Sequence, residues 1–277
     1  GLSNNRAGTE AVIYSYASYV AKNSAISFDF LCYEEPLNYS DLFSDEMENR
    51  YFVIPVKIKH PFSYMLQLKK FMKKHKDEYS AIWCNLNDVS NIDILALAKC
   101  YGIKRRITHI HNSNIPDVLV TKVFSKLNWK RCIELTTDRW ACSESAGDFL
   151  YGSLPYFVVP NLVDSKKCKF SLEKRERIRK ELRIEEAFVI GTVGRLAAQK
   201  NHQFLVRLLP KVLEKNQKAV LLLVGDGPLR EDLIKLSKKL KVHDHIIFAG
   251  SQEDIQSYLS AFDVYAFPSI YEGLSLS

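Results

Sequence analysis

Apolar residues fall along this chain in two alternating textures. Short continuous runs occupy 26–33, 51–56, 80–86, 106–110, 139–142 and 156–159, and between most of them apolar residues recur every three or four positions, at 9–22, 62–76, 92–101, 116–132 and 144–151. Continuous short runs suit strands buried on both faces, and three-to-four spacing suits helices with one apolar face. Strands joined by helices form parallel sheets, because a parallel pair needs a long crossover. The fold class expected is therefore α/β. After Pro160-Asn161 comes a charged helix, 171–183, and the rhythm restarts with strands at 187–193, 219–224, 245–248 and 264–267 and helices at 201–216, 228–240 and 253–262. That break divides the chain into domains at 1–163 and 164–277. Neither a short-period repeat nor a low-complexity segment interrupts it.

Three motifs stand at strand ends in the second half: Gly191 to Asn201 (GTVGRLAAQKN), Gly225-Asp226-Gly227-Pro228, and Pro268 to Gly273 (PSIYEG). In an open parallel sheet the ligand crevice lies outside the carboxyl ends of the strands, so successive loops converge on one ligand. The first motif is expected to open a helix, whose unpaired N–H groups and positive dipole end favour an anion. Arg195 and Lys200 add two cations, and together these suit a diphosphate.

The composition narrows the class. With 277 residues, 47% hydrophobic and 26% charged, the chain is long enough for two cores. No apolar run approaches the roughly 20 residues of a bilayer span, and 1–10 lacks the apolar core of a signal peptide, so a cytoplasmic protein is expected. The six cysteines form no C-x-x-C pair and lie mostly in apolar segments, which argues against disulfides and zinc. A net charge of +7 permits an anionic partner, but the basic residues lack the interleaved aromatics of a base-stacking platform, so no nucleic acid is expected.

On the stretches GLSNNRAGTE, ITHIHN, ACSESAGDFLYG, VVPNLVD, VGRLAAQKN, VGDGPL and FPSIYEGLSLS, in this order, the chain resembles glycosyltransferases of the GT-B fold, specifically the retaining, nucleotide-sugar-dependent family 4. Bacterial capsular and exopolysaccharide synthases look closest. The resemblance implies two Rossmann-like domains facing a cleft, the first receiving the acceptor and the second holding the sugar nucleotide. It implies that Arg195 and Lys200, with Gly194 and Asn201, grip the donor diphosphate, and that Glu272 and Gly273 meet the donor sugar. Gly225, Asp226, Gly227 and Pro228 would flank the base. His111 would lie near the transferred sugar, and the turn from Arg6 to Glu10, with Gly8, under the phosphates. Catalytic roles thus fall to Arg195, Lys200, Glu272 and His111. No metal or other cofactor is expected, since two cations replace one and no Asp-x-Asp motif occurs. The donor expected is a UDP-sugar, and the acceptor a saccharide or lipid-linked saccharide for surface polysaccharide. Two alternatives stay open: a nucleotide-sugar 2-epimerase of the same architecture, or a non-catalytic protein that only binds nucleotide.

Departures from the pattern suggest a chain truncated at both ends. The glycine turn at Gly1 follows no strand, although a first strand is central in such sheets. A second family glutamate would fall three positions past Ser277, and the C-terminal helices of the pattern are missing. The expectation is a fragment of a longer enzyme, itself inactive or marginally stable.

Two further features carry expectations. His109 and His111 alternate on one strand and so share a face, which could hold a metal only with a third ligand that the sequence does not show. Between Phe62 and Tyr79, Lys69, Lys70, Lys73, Lys74 and Lys76 are read on a helix whose other face holds Phe62, Met65, Leu66, Leu68 and Met72. Such a helix suits an anionic membrane surface, so a peripheral position on the inner face of the membrane is expected. Lys104, Arg105 and Arg106 are expected to extend the patch.

Overall fold

The computed structural model describes residues 8–43, 48–163 and 165–276. Gly1 and Arg6 of the glycine-turn reading, and Ser277, lie outside them. The described residues divide into two compact units, those up to Val163 together with Glu272–Leu276, and those from Ser165 to Tyr271. Among the described residues no helix is long and apolar enough to cross a membrane.

In the first unit, α1 (Thr9–Asn23) precedes β1 (Asp29–Cys32) and β2 (Arg50–Val53), which form a two-stranded parallel sheet. Then α2 (Pro61–His75) leads into β3 (Ala81–Leu86), α3 (Asp93–Cys100), β4 (Arg105–Ile110), α4 (Leu119–Leu135), β5 (Asp138–Ala141), α5 (Glu144–Tyr151) and β6 (Phe157–Val158). Strands β3 to β6 form a parallel sheet in chain order. With each neighbour reached by the usual right-handed crossover, α3 and α4 cover one face. Their packing fits: Ile92 and Leu95 share a core with Cys132 and Leu135 of α4, and Tyr64 and Leu68 of α2 pack near Ile94 and Leu97.

The second unit holds α6 (Leu172–Leu182), β7 (Phe188–Val193), α7 (His202–Leu213), β8 (Ala219–Val224), α8 (Arg230–Lys239), β9 (Ile246–Gly250), α9 (Ile255–Ala261) and β10 (Val264–Tyr265). Its parallel sheet has the order β10-β7-β8-β9. Strand β8 runs AVLLLV, and its residues 221–224 are all buried, as a central parallel strand requires. Helix starts follow capping chemistry: Ser143, Ser171 and Asp254 accept backbone N–H bonds from Ala146, Lys174 and Ser257.

Two sequence expectations fail. Tyr64, Leu68, Met72 and His75 form the buried stripe of α2, while Phe62 and Leu66 point to solvent on the lysine side. An i, i+4, i+8, i+11 stripe selects one face, and Phe62 and Leu66 lie off it. Nor does Arg106 extend the basic patch. Its guanidinium donates to the carbonyls of Leu135, Ile103 and Lys104, and Arg105 pairs with Asp138 at 2.7 Å.

Candidate functional site

At the carboxyl edge of the second unit's sheet, three loops are knitted by backbone bonds. Gly194 N–H donates to Val224 O, Leu196 N–H to Asp226 O, and Leu229 N–H to Leu196 O, so the loops after β7 and β8 run side by side. Only glycine permits this approach. Gly225 has φ +135°, and a Cβ there would sit 2.1 Å from the Gly194 carbonyl oxygen. Asp226 and Pro228 are exposed beside it.

Between β7 and α7 the chain makes a 3-10 turn, Ala198–Lys200, and Asn201 takes a left-handed conformation (φ 52°) as the N-cap of α7. This turn reaches the third loop. Ile270 N–H donates to Gln199 O at 2.8 Å, Gln199 Nε2 to Tyr271 O at 2.9 Å, and Asn201 Nδ2 to Pro268 O at 3.3 Å. Lys200 Nζ stands 5.1 Å from the centroid of the Phe267 ring, its stem passing over Gly194. Arg195 is exposed and makes no ion pair among the described residues. Buried His202 follows at the first position of α7, its pKa pushed down to about 4 by burial and by the Lys200 charge. A neutral ring there leaves the positive charge on Arg195 and Lys200. Sequence reasoning missed Gln199 and His202, although both adjoin residues it had singled out. A concavity of about 390 Å³ lined by Arg179, Phe188, Lys218 and Asp263 opens at the opposite, amino end of this sheet and shares no residue with these loops.

The first unit gathers a second set at its own carboxyl edge. His109 is fully buried and stacks on Trp83 (6.0 Å, 18°), with Nε2 2.9 Å from Val159 O. His111 Nε2 lies 2.9 Å from Asn85 Oδ1 and its Nδ1 3.1 Å from Asn161 Oδ1. Burial, then the neighbouring His109, pushes the His111 pKa down to about 3, so the ring is neutral and carries a single N–H. Asn161 Nδ2 donates to Leu274 O at 2.5 Å, which leaves its Oδ1 to accept from Nδ1–H of His111.

Glu272 and Gly273 pack on this edge. Ser113 Oγ donates to Glu272 O at 2.5 Å and Ser143 Oγ to Gly273 O at 3.0 Å. A Cβ on Gly273 would meet His111 O at 2.1 Å, so the segment lies flat on the His111 backbone. Gly8 caps α1 with φ 59°, and the next residue, Thr9, donates to Asn87 Oδ1 at 2.9 Å, just past β3. Asn112 Nδ2 donates to Asn87 O, so the start of α1 shares this edge with His111. Asn85, Asn87 and Asn161 had no sequence signal as partners beyond their places at strand ends. Among the described residues no group of three His, Cys, Asp or Glu side chains could hold a metal.

Comparisons with known proteins place this geometry. Residues 174–277 match the family described as "Glycosyl transferases group 1". Putative glycosyltransferase EpsF of Bacillus subtilis is 27% identical over 98% of this chain and 72% of its own length. An Escherichia coli UDP-Gal:alpha-D-GlcNAc-diphosphoundecaprenol alpha-1,3-galactosyltransferase is 32% identical over 43% of the chain and 32% of its own length. Among solved structures, Anabaena Alr3699/HepE in complex with UDP and glucose superposes with TM-score 0.73 at 18% identity, over 97% of this chain and 72% of that one. The apo lipopolysaccharide outer core galactosyltransferase WaaB does so with TM-score 0.62 at 17% identity, covering 98% and 73%. At such identities the structural likeness shows the fold, which is GT-B. The second unit carries a group 1 glycosyl transferase domain, and the chain is a relative of the GT-B glycosyltransferases.

Proposed function

We propose that this protein transfers a hexosyl residue from a UDP-sugar to a saccharide or lipid-linked saccharide, with retention at the anomeric carbon, in the synthesis of a surface polysaccharide. The observation that carries this reading is the braced triple loop of the second unit, where Arg195 and Lys200 stand together with Gly194, Asn201 and the Gly225 to Pro228 turn. Breaking the anomeric C–O bond leaves a nucleoside diphosphate whose charge grows as the bond lengthens, and two fixed cations stabilise that charge more than the ground state. Removing one such donor costs about 3 kcal/mol of barrier, roughly a hundredfold in rate. The cations do the work of a divalent ion, so we expect transfer without added metal. Neutral His111 and the Glu272-Gly273 segment are assigned to the transferred sugar, with a ring held by Asn85 and Asn161 that adds no charge beside it.

The relatives support the donor and acceptor classes. One solved neighbour was crystallised with UDP and glucose, and two curated relatives are named for sugars on diphosphoundecaprenol. The first unit is assigned to the acceptor, and the exposed lysines of α2 to an anionic membrane on the cytoplasmic side. A screen of UDP-sugars against lipid-linked saccharides, with Arg195→Ala and Lys200→Ala, tests the reading. Full activity in both variants would overturn it.

A further inference from the structure

Strand β2 pairs only with β1 in its two-stranded sheet, and its other border carries a concavity of about 480 Å³. The rings of Phe43, Tyr51 and Phe52 wall it, Asn49, Arg50 and Lys74 supply polar groups, and none of the described residues that line it is acidic. Tyr51 and Phe52 are successive and so stand on opposite faces of the strand, which wraps the concavity around the border. Its walls are fixed by packing: Phe43 meets Tyr51 edge-on at 5.1 Å, and Phe52 lies 4.9 Å from both Phe71 and His75. Arg50 N–H donates to Phe28 O and Ile54 N–H to Cys32 O, so alternate main-chain groups of β2 turn to β1 and those of Tyr51 turn outward. Asn49 is 7% exposed. Its Oδ1 accepts from Phe28 N–H at 2.8 Å, and its Nδ2 is buried without a hydrogen-bond partner, a costly state for an amide. Arg50 is compensated by Asp29 at 2.5 Å and Glu78 at 2.6 Å. Lys74, the lysine of α2 that lines the concavity, is exposed and makes no ion pair among the described residues.

We propose that this concavity is a second saccharide site, which takes an acidic pyranose of the uronate type. Each part of such a ligand has a counterpart. The apolar C–H face of the pyranose lies against the aromatic walls. Hydroxyls both donate and accept, which matches the outward N–H and C=O of Tyr51 and the unused Asn49 amide. The carboxylate meets Lys74, the uncompensated cation. A bare anion would leave the rings unused, and a neutral sugar would leave Lys74 unused. The site stands apart from the one around His111. Tyr79 OH donates to Asp29 Oδ2 at 2.7 Å and Arg50 pairs with Glu78, so β1, β2 and β3 all begin at this edge, whereas His111 follows the far end of β4. The six residues of β3 put about 20 Å between the two edges. A saccharide bound here is therefore not the one that reacts, and the proposal does not depend on sugar transfer.

Titration calorimetry of the full chain with an oligosaccharide of alternating glucuronate and N-acetylglucosamine, against cellotetraose, inorganic phosphate and UDP, tests it without any activity readout. Wild type should bind the acidic oligosaccharide saturably, at least about tenfold more tightly than cellotetraose or phosphate. Lys74→Ala should weaken that binding roughly tenfold and Tyr51→Ala roughly fivefold, while Tyr51→Phe, which keeps the ring, should stay close to wild type. Asn49→Asp keeps the acceptor for Phe28 N–H but replaces the free donor by a negative charge, and should weaken binding at least about tenfold. Arg195→Ala should bind the oligosaccharide as wild type does, and UDP should not compete with it. Circular dichroism should show all variants folded. Wild type that fails to bind the acidic oligosaccharide, or binding that Lys74→Ala and Tyr51→Ala leave unchanged, would overturn the proposal. So would equal affinity for phosphate or cellotetraose, or competition by UDP, because the ligand class or the place would then be another.

Discussion

Replacing Asp263 by alanine should cost the second unit much of its stability. Its Oδ2 accepts from Arg179 Nη2 at 2.5 Å and from Val189 N–H at 2.8 Å, and its Oδ1 from Arg175 Nη2 at 2.5 Å. Arg179 is 8% exposed, and its remaining N–H groups donate to the carbonyls of Ala261, Glu185 and Ala187, while Arg175 donates to those of Ser260 and Phe262. One carboxylate thus joins α6, the end of α9 and the start of β7. Removing it leaves a buried guanidinium without its counter-charge, a loss of about 3 kcal/mol or more. For a unit of about 100 residues each kcal/mol shifts Tm by roughly 4 °C, so Asp263→Ala should melt about 12 °C lower. The same carboxylate has a pH signature. Burial opposes its charge, but the bonds from Val189, Arg175 and Arg179 outweigh that and hold its pKa below the ordinary value. A depressed carboxyl pKa gives stability that is complete above the unfolded value of about 3.9 and is lost as pH falls through the folded one. Wild type should therefore lose part of its margin below about pH 4, and Asp263→Asn should lose less over that window. Calorimetry of both variants checks this; a melt of Asp263→Ala within about 2 °C of wild type would refute the reasoning.

Other outcomes follow from the sites. Buried His109, His111 and His202 have pKa values lowered to about 4, 3 and 4, so the unfolded chain takes up protons first as pH drops below about 6.5. Each should remove up to about 1.4 kcal/mol per pH unit between there and its folded value, and the slope of Tm against pH should fall in His202→Gln. Asn161→Asp should raise the His111 pKa, read from its ring proton shifts by NMR, because a carboxylate would then face Nδ1–H. Gly225→Ala should weaken UDP binding roughly 5- to 150-fold in calorimetry, since relieving a clash on the Gly194 carbonyl moves the loop that bears Arg195, at ~1–3 kcal/mol of strain. Transfer activity should survive chelation by EDTA, and a strict requirement for Mg²⁺ or Mn²⁺ would contradict the role given to Arg195 and Lys200.

Much of the fold was legible because parallel strands and their helices write strong periodicities. The run 219–224 became β8 without change, and Ser143 fixed the start of α5 at 144 by capping chemistry. Strand 26–33 shrank to Asp29–Cys32, since Ile26 is 59% exposed and adds apolar character without a pairing partner. Helix α4 ends three residues later than its pattern suggested, because apolar residues on both faces blur a 3.6-residue period. Position of the site residues was less readable. Glycine and basic residues at strand ends located Arg195 and Lys200, but the bonds that lay Glu272 to Leu274 on His111 come from Ser113, Ser143 and Asn161, single polar side chains far away in sequence that follow no period.

Strand order has a consequence for synthesis on the ribosome. Strands β3 to β6 pair with their immediate successors, so the first unit's main sheet can lengthen strand by strand as the polypeptide emerges. In the second unit β7 is flanked by β8 on one side and by β10, three strands later in the chain, on the other, and the buried Arg179 of α6 waits for Asp263. The sheet around β7 can close only once β10 has been translated, and during the interval one border of β7 stays open to wrong partners.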